Sequence, residues 1–401
     1  LDNSFIFNNH IFLPMNFAEE SIKRHKEYRG KWGMHATVPL ETRDDLGLAY
    51  TPGVGAVSMA IANDPSRVRE LTMKGHTVAI VSDGSAVLGL GNIGPEAALP
   101  VMEGKAILFK KFAHIEGIPL VLDTQDPQEI IAVVRAIAPT FGGINLEDIA
   151  APACFVIEDA LQDLGIPVFH DDQHGTAIVV LASLINASRV VGKKIEDMKI
   201  VINGSGAAGI AIAKLLGCID QEGTVCRPAG NLLVCDSQGI ISSDRERLNT
   251  YKQHLLTFTN PQDISGTLPD ALQGADCFIG VSKPNVLTTH HIQQMAADPI
   301  IFALANPIPE IMPDVARAAG AAVVGTGRSD FPNQINNVLA FPGIFKGALE
   351  SGATRITPAM KIAAAYALAD MVPEPNTESL LPDVFDPQIA DVIAEAVKMA
   401  R

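Results

Sequence analysis

The run Lys199-Ile-Val-Ile-Asn203 leads directly into Gly204-Ser205-Gly206-Ala207-Ala208-Gly209. An apolar, β-rich stretch that ends in this turn and opens a helix belongs in a parallel α/β sheet. Gly204 permits the tight turn, Gly206 lets the backbone approach a pyrophosphate, and Gly209 lets the helix sit close to the strand. The helix N-terminus then favours an anion. The glycine spacing alone is weak, because a turn with no ligand can carry the same letters. The strand before it and the helix after it strengthen the dinucleotide reading.

The next strand ends at Asp236. An acidic side chain there takes the ribose 2′-hydroxyl and repels a 2′-phosphate, which tips the balance to NAD. Arg245 and Arg247 follow in a loop and could accommodate the phosphate of NADP. Both cofactors therefore stay open.

The rest of the chain repeats the alternation. Strands are expected at Thr77–Val81, Ile118–Leu122, Phe141–Asn145 and Pro167–Phe169 in the first half. In the second half they are expected at Lys199–Ile202, Leu232–Cys235, Cys277–Val281, Ile300–Leu304 and Ala322–Val324, with helices between. The fold class is α/β, in two domains. Residues 1–172 form a parallel α/β unit and residues 173–401 a doubly wound Rossmann unit whose C-terminal helices pack back on the first. Residues 1–14 read as an irregular extension and stay outside the fold argument.

In such sheets ligands bind outside the carboxyl ends of the strands. Asp83, Asp123, Glu147-Asp148 and Asp171-Asp172 all stand at such ends. For Asp83 and Asp123 the expected role is helix capping. Glu147, Asp148 and Asp172 instead suggest a hard, oxygen-lined site for Mg²⁺ or Mn²⁺. A divalent metal beside a nicotinamide suits oxidation of a chelated hydroxy acid.

Composition excludes other classes. The formal net charge is −15, and no basic run with interleaved aromatics occurs, so nucleic acid is not an expected partner. No uninterrupted apolar stretch reaches membrane-spanning length, so no membrane partner is expected either. The five cysteines form no C-x-x-C pair. They predict neither a disulfide framework nor a zinc site, and fit a reducing, cytoplasmic setting.

Lys105 lies among Met102, Ala106, Ile107 and Leu108, where burial would lower its pKa towards that of a useful base. Tyr50 precedes a Pro-Gly turn that could aim its hydroxyl into a cleft. From spacing alone, either residue is more often structural.

Eight segments, in order, make the chain resemble the malic enzymes in their shorter bacterial form. They are Leu48-Ala-Tyr-Thr-Pro-Gly-Val-Gly55, Ser82-Asp-Gly-Ser-Ala-Val-Leu-Gly-Leu-Gly-Asn-Ile-Gly94, Val101-Met-Glu-Gly-Lys-Ala106 and Asn145-Leu-Glu-Asp-Ile149. Then come Phe169-His-Asp-Asp-Gln-His-Gly-Thr-Ala177, Gly204–Gly209, Ala305-Asn-Pro307 and the run from Gly327 to Gly343.

The resemblance implies oxidative decarboxylation of L-malate to pyruvate and CO₂ with reduction of NAD or NADP. It makes Lys105 the general base and Tyr50 the general acid. It makes Glu147, Asp148 and Asp172 the metal ligands, with Asp171 behind them. Asn306, Asn336 and Asn337 would contact substrate and nicotinamide, and a homodimer is implied. Ala86 stands where the large eukaryotic-type enzymes carry a carboxylate-binding Arg, and Ser205 where the family more often has Ala. Some bacterial relatives carry an appended phosphotransacetylase-like domain, and none is expected in a chain that stops at Arg401. Two alternatives accompany this reading. One is a malolactic-type conversion to lactate, which the resemblance associates with the larger form. The other is a catalytically silent nucleotide sensor, for which an intact set of Tyr50, Lys105 and three carboxylates has no purpose.

Overall fold

The computed structural model describes residues 17–87, 89–219 and 227–401. The irregular extension expected over residues 1–14 lies outside the described residues, as does Cys226.

The first sheet contains β1 (Thr77–Ser82), β2 (Glu116–Val121), β3 (Gly143–Leu146) and β4 (Val168–His170), in the order β2-β1-β3-β4 and all parallel. The central strand β1 is buried along its whole length. That explains the unbroken apolar run Val78-Ala-Ile-Val81, since a parallel strand is covered on both faces.

The second sheet contains β5 (Lys199–Asn203), β6 (Asn231–Asp236), β7 (Gly239–Ile240), β8 (Cys277–Gly280), β9 (Ile300–Ala303) and β10 (Val323–Thr326). Its order is β10-β9-β8-β5-β6-β7, parallel except for β7 on β6. The expected parallel strands all form, with ends shifted by a residue or two. The two-residue β7 is an addition, too short to leave a pattern in sequence.

The helix Asp171–Val191 links the two sheets and buries 14 of its residues. By length and composition alone it could cross a membrane, which the sequence reading missed. Here it is the shared core helix, and Asp171 and Asp172 form its first turn. The helix Phe341–Glu350 sets Phe341 and Phe345 edge-on against Phe109, with ring centroids 4.7 and 5.3 Å apart, and Phe345 also meets Phe169. Phe109 belongs to the helix Pro95–Ala113, which carries Lys105. This aromatic cluster therefore anchors the Lys105 helix to the C-terminal helices. Truncating Phe109 to Ala would cost about 3–5 kcal/mol.

Cys154, Cys235 and Cys277 are free and buried. Cys218 is disulfide-bonded, a single bond that the expectation of no disulfide framework did not foresee.

Candidate active site

Two strand ends and one helix converge. Glu147 and Asp148 directly follow β3, Asp171 and Asp172 follow β4, and the helix after β1 brings Lys105 across. Lys105, Glu147, Asp148 and Asp171 are buried. Lys105 Nζ lies 2.8 Å from Glu147 Oε1 and 2.5 Å from Asp171 Oδ2, and 4.2 Å from the centre of the Phe341 ring. Asn145 Nδ2 donates to Glu147 Oε2 at 2.8 Å, and Asn337 Nδ2 donates to Asp171 Oδ2 at 2.6 Å. The backbone N–H of Asp148 donates to Asp172 Oδ2 at 2.8 Å. Asp148 itself holds a left-handed backbone, with φ of 54°. Aspartate tolerates that region better than most residues, and it is a conformation common at functional sites.

Glu147, Asp148 and Asp172 each offer a carboxylate oxygen, and the three atoms lie within 4.8 Å of one another. Four carboxylates gather here, and Lys105 pairs with two of them, Glu147 and Asp171. Burial, reinforced by the neighbouring Asp172, pushes Glu147 up to about 7. Burial, with the charge of Glu147, pushes Asp171 up to about 7, and burial with that of Asp171 pushes Asp172 up to about 6. Crowded carboxylates that repel one another, two buried and Asp172 partly exposed, are a donor set suited to a hard divalent cation.

Lys105 departs from expectation. Burial does oppose its charge, but Asp171 and Glu147 outweigh burial and hold the ammonium well above the usual lysine range. The flanking apolar residues predicted the desolvation and could not reveal the two partners. Asp171, Glu147 and Phe341 were thus not recognised as the immediate surroundings of Lys105, nor Asn145 as the donor that holds Glu147. Adjacency to Asp172 was the one available signal for Asp171.

The structure does not bring Tyr50 to this cluster. It ends the short helix Arg43–Ala49 and is 67% exposed. No hydrogen bond or ion pair joins it to Lys105 among the described residues. The asparagines divide. Asn337 reaches the cluster through Asp171, whereas the side chain of Asn336 accepts from Val338 N and caps a short helical turn. Asn306 lies where the second sheet meets the first domain. A Cβ on Gly89, whose φ is 76°, would stand 2.1 Å from the Asn306 carbonyl oxygen, so only glycine permits this approach.

In the glycine turn, a Cβ on Gly209 would lie 1.7 Å from the Gly204 carbonyl oxygen, the close packing that a pyrophosphate cradle needs. Gly206 and Ser205 stand at the N-terminus of the helix Ala207–Leu216, which contains Ala207, Ala208 and Gly209. Asp236 does end β6, but its carboxylate is already engaged. Arg245 grips both oxygens at 3.0 and 2.9 Å, Lys252 Nζ reaches Oδ2 at 2.7 Å, and Gln238 N donates to Oδ1. Burial opposes its charge, yet these hydrogen bonds hold Asp236 down at about 2. A carboxylate so neutralised is a poor barrier to a 2′-phosphate, so the case for NAD from Asp236 falls away.

The family model of the malic enzyme N-terminal domain matches residues 29–162, and that of the malic enzyme NAD-binding domain matches residues 173–400. The chain belongs to the malic enzyme family. The bifunctional malic/malolactic enzyme of Bacillus subtilis is 52% identical over 96% of this chain and 93% of its own length. The NAD-dependent malic enzyme of Geobacillus stearothermophilus is 53% identical over 92% and 76%. The crystal structure of the NAD-dependent malic enzyme from Thermotoga maritima superposes with a TM-score of 0.90 at 48% identity, covering 94% of this chain and 98% of that one. The two-domain α/β architecture is therefore that of malic enzymes. The Bacillus relative also shows that a malolactic name occurs on a malic enzyme of similar length, where the sequence reading associated it with the larger form.

Proposed function

We propose that this malic enzyme family member oxidises and decarboxylates L-malate to pyruvate and CO₂, reducing NAD or NADP. The observation that carries the reading is Lys105 seated against the Glu147–Asp148–Asp172 carboxylates at the strand ends. Glu147, Asp148 and Asp172 would hold Mg²⁺ or Mn²⁺. Bound there, the ion would act as a Lewis acid that acidifies a chelated hydroxyl and stabilises charge on the neighbouring oxygen. Lys105 borders the cluster as an ammonium; it would pass its proton to Asp171, 2.5 Å away, and the neutral amine would then take the hydroxyl proton, with Phe341 packed against it. The turn from Gly204 to Gly209 would seat the cofactor pyrophosphate, with Asn306 at the seam between domains. Asn337 would act on the substrate side through Asp171. The reading places the metal ligands and Lys105 on residues 1–172 and the cofactor turn on residues 173–401, from which Asn337 reaches across to Asp171.

A homodimer is part of this reading. The three helices between Phe17 and Asn63 contain no buried residue. They expose Phe17, Ile22, Leu46, Leu48 and Met59. A contiguous apolar segment of this kind favours an interface, and light scattering on the purified chain tests it. Tyr50 lies on this segment, and the reading gives it protonation of C3 after CO₂ leaves.

The decisive assay supplies L-malate, Mn²⁺ and either NAD or NADP, following reduced nicotinamide and pyruvate together. Equal amounts of both products, lost on adding EDTA, support the proposal. Lactate without net cofactor reduction, or no product at all, overturns it.

A further inference from the structure

Away from the carboxylate cluster, a cavity of about 350 Å³ opens at the seam between the two halves. Its walls come from the helix Ala153–Leu161, from Gln173 and His174 on the linking helix, from the cofactor-side helix Ala207–Leu216, and from the start of the helix Pro358–Asp370. The carboxylates Glu147, Asp148 and Asp172 and the Gly204–Gly209 turn take no part in lining it.

Three cations reach it from separate places: Lys214 from the cofactor side, Arg355 just before the last of these helices, and Lys361 within that helix's first turn. Two carboxylates also line it. Glu158 is buried and already engaged, accepting from His174 Nε2 at 2.9 Å, Gln173 Nε2 at 3.0 Å and the His170 backbone at 3.0 Å. Lys361 adds to the positive field on Glu158. Asp159 stands exposed at the rim. Lys214 and Arg355 form no ion pair or side-chain hydrogen bond among the described residues, although both face a concave site. Phe155 and Tyr251, with ring centroids 4.4 Å apart, close one wall. The site thus combines a half-open volume suited to a small metabolite with two uncommitted cations on different elements, Arg355 at its exposed edge.

We propose that this cavity binds a small anion bearing two or more negative charges, phosphoryl or carboxyl, between Lys214 and Arg355. Such a ligand bridges the cofactor-side helix to the C-terminal helices and rests against His174. That residue lies in the same helical turn as Asp171 and Asp172, so occupancy couples to the reaction site. The binding itself is independent of the malate reading. Its effect on malate turnover rests on that reading.

The test is calorimetric titration of the full chain, metal-free and saturated with NAD⁺, with inorganic pyrophosphate in one arm and succinate in the other. Saturation with NAD⁺ keeps the probes from the cofactor turn. We expect one probe to bind the wild-type chain and to bind at least ~10-fold more weakly to Lys214→Glu and to Arg355→Glu. The arm that binds identifies the chemistry. Turnover of malate without added anion should be unchanged in both variants, which also shows that they fold. Absence of binding in both arms, or equal binding to wild type and variants, would overturn the proposal. If malate turnover itself failed, the calorimetric result would still decide the binding claim.

Discussion

Lys105 Nζ and Asp171 Oδ2 lie 2.5 Å apart in the buried centre of the first domain, and the same carboxylate oxygen accepts from Asn337. Asp171 therefore fixes the lysine and ties the Asn337 segment to it. Asp171→Asn keeps the size and removes the charge. We expect kcat for malate to fall by roughly 10- to 100-fold, with Mn²⁺ affinity altered much less. Gly175→Ala should act in the same way, because its Cβ would stand 1.8 Å from Asp171 Oδ1. Steady-state kinetics beside a Mn²⁺ titration checks both. Wild-type turnover in Asp171→Asn would remove the positioning role.

Loss of the lysine itself should be more severe. Lys105→Ala is expected to lower malate oxidation by roughly 10²–10⁴-fold. Tyr50→Phe should spare decarboxylation of supplied oxaloacetate more than the protonation that follows. Parallel assays with malate and with oxaloacetate separate the two steps, and near-normal malate turnover by Lys105→Ala would refute the base assignment.

The carboxylate cluster predicts a thermal signature that needs no turnover. Metal bound only to the folded chain raises its stability by about 2.7 kcal/mol at a hundred times Kd. Wild-type protein should therefore melt higher with Mn²⁺ than with EDTA. Glu147→Gln and Asp172→Asn should lose most of that difference. An equal upward shift in these variants would place the ion elsewhere.

Asp236 predicts a change of cofactor ratio. Its carboxylate neutralises Arg245 and Lys252. Asp236→Ala would release both cations beside the ribose position. The ratio of kcat/KM for NADP to that for NAD should then rise several-fold. An unchanged ratio would show that these cations do not face the cofactor.

The same ion pairs predict acid sensitivity. Folding lowers the Asp236 pKa from 3.8 to about 2, so the folded state prefers the ionised form. Its stabilising contribution is therefore fully present above the unfolded value and is lost as pH falls through the folded one. Urea unfolding of wild type and Asp236→Asn should differ most above pH ~4, and the gap should close towards pH ~2. A gap that widened on acidification would contradict the assignment.

Much of this protein follows from sequence alone, for local reasons. Strand and turn chemistry around Lys199–Gly209 writes its requirements into neighbouring residues, because a tight turn and a close helix need glycine at set positions. Covered parallel strands write themselves as apolar runs, so Val78–Val81 was legible, while the two-residue β7 was not. The acidic residues were legible because strand ends are where ligands gather.

Partnership between distant segments was decided only by the tertiary structure. Apolar neighbours of Lys105 predicted desolvation, but the sign of its pKa shift depends on Asp171 and Glu147, which lie 66 and 42 residues away. Asp236 looked like a free acid until folding set Arg245 and Lys252 against it. Tyr50 carried a motif that implied a cleft, and folding left it exposed. Local sequence records what a backbone turn or a covered strand requires. Charge and exposure depend on distances across the fold, and those exist only once the helices have packed.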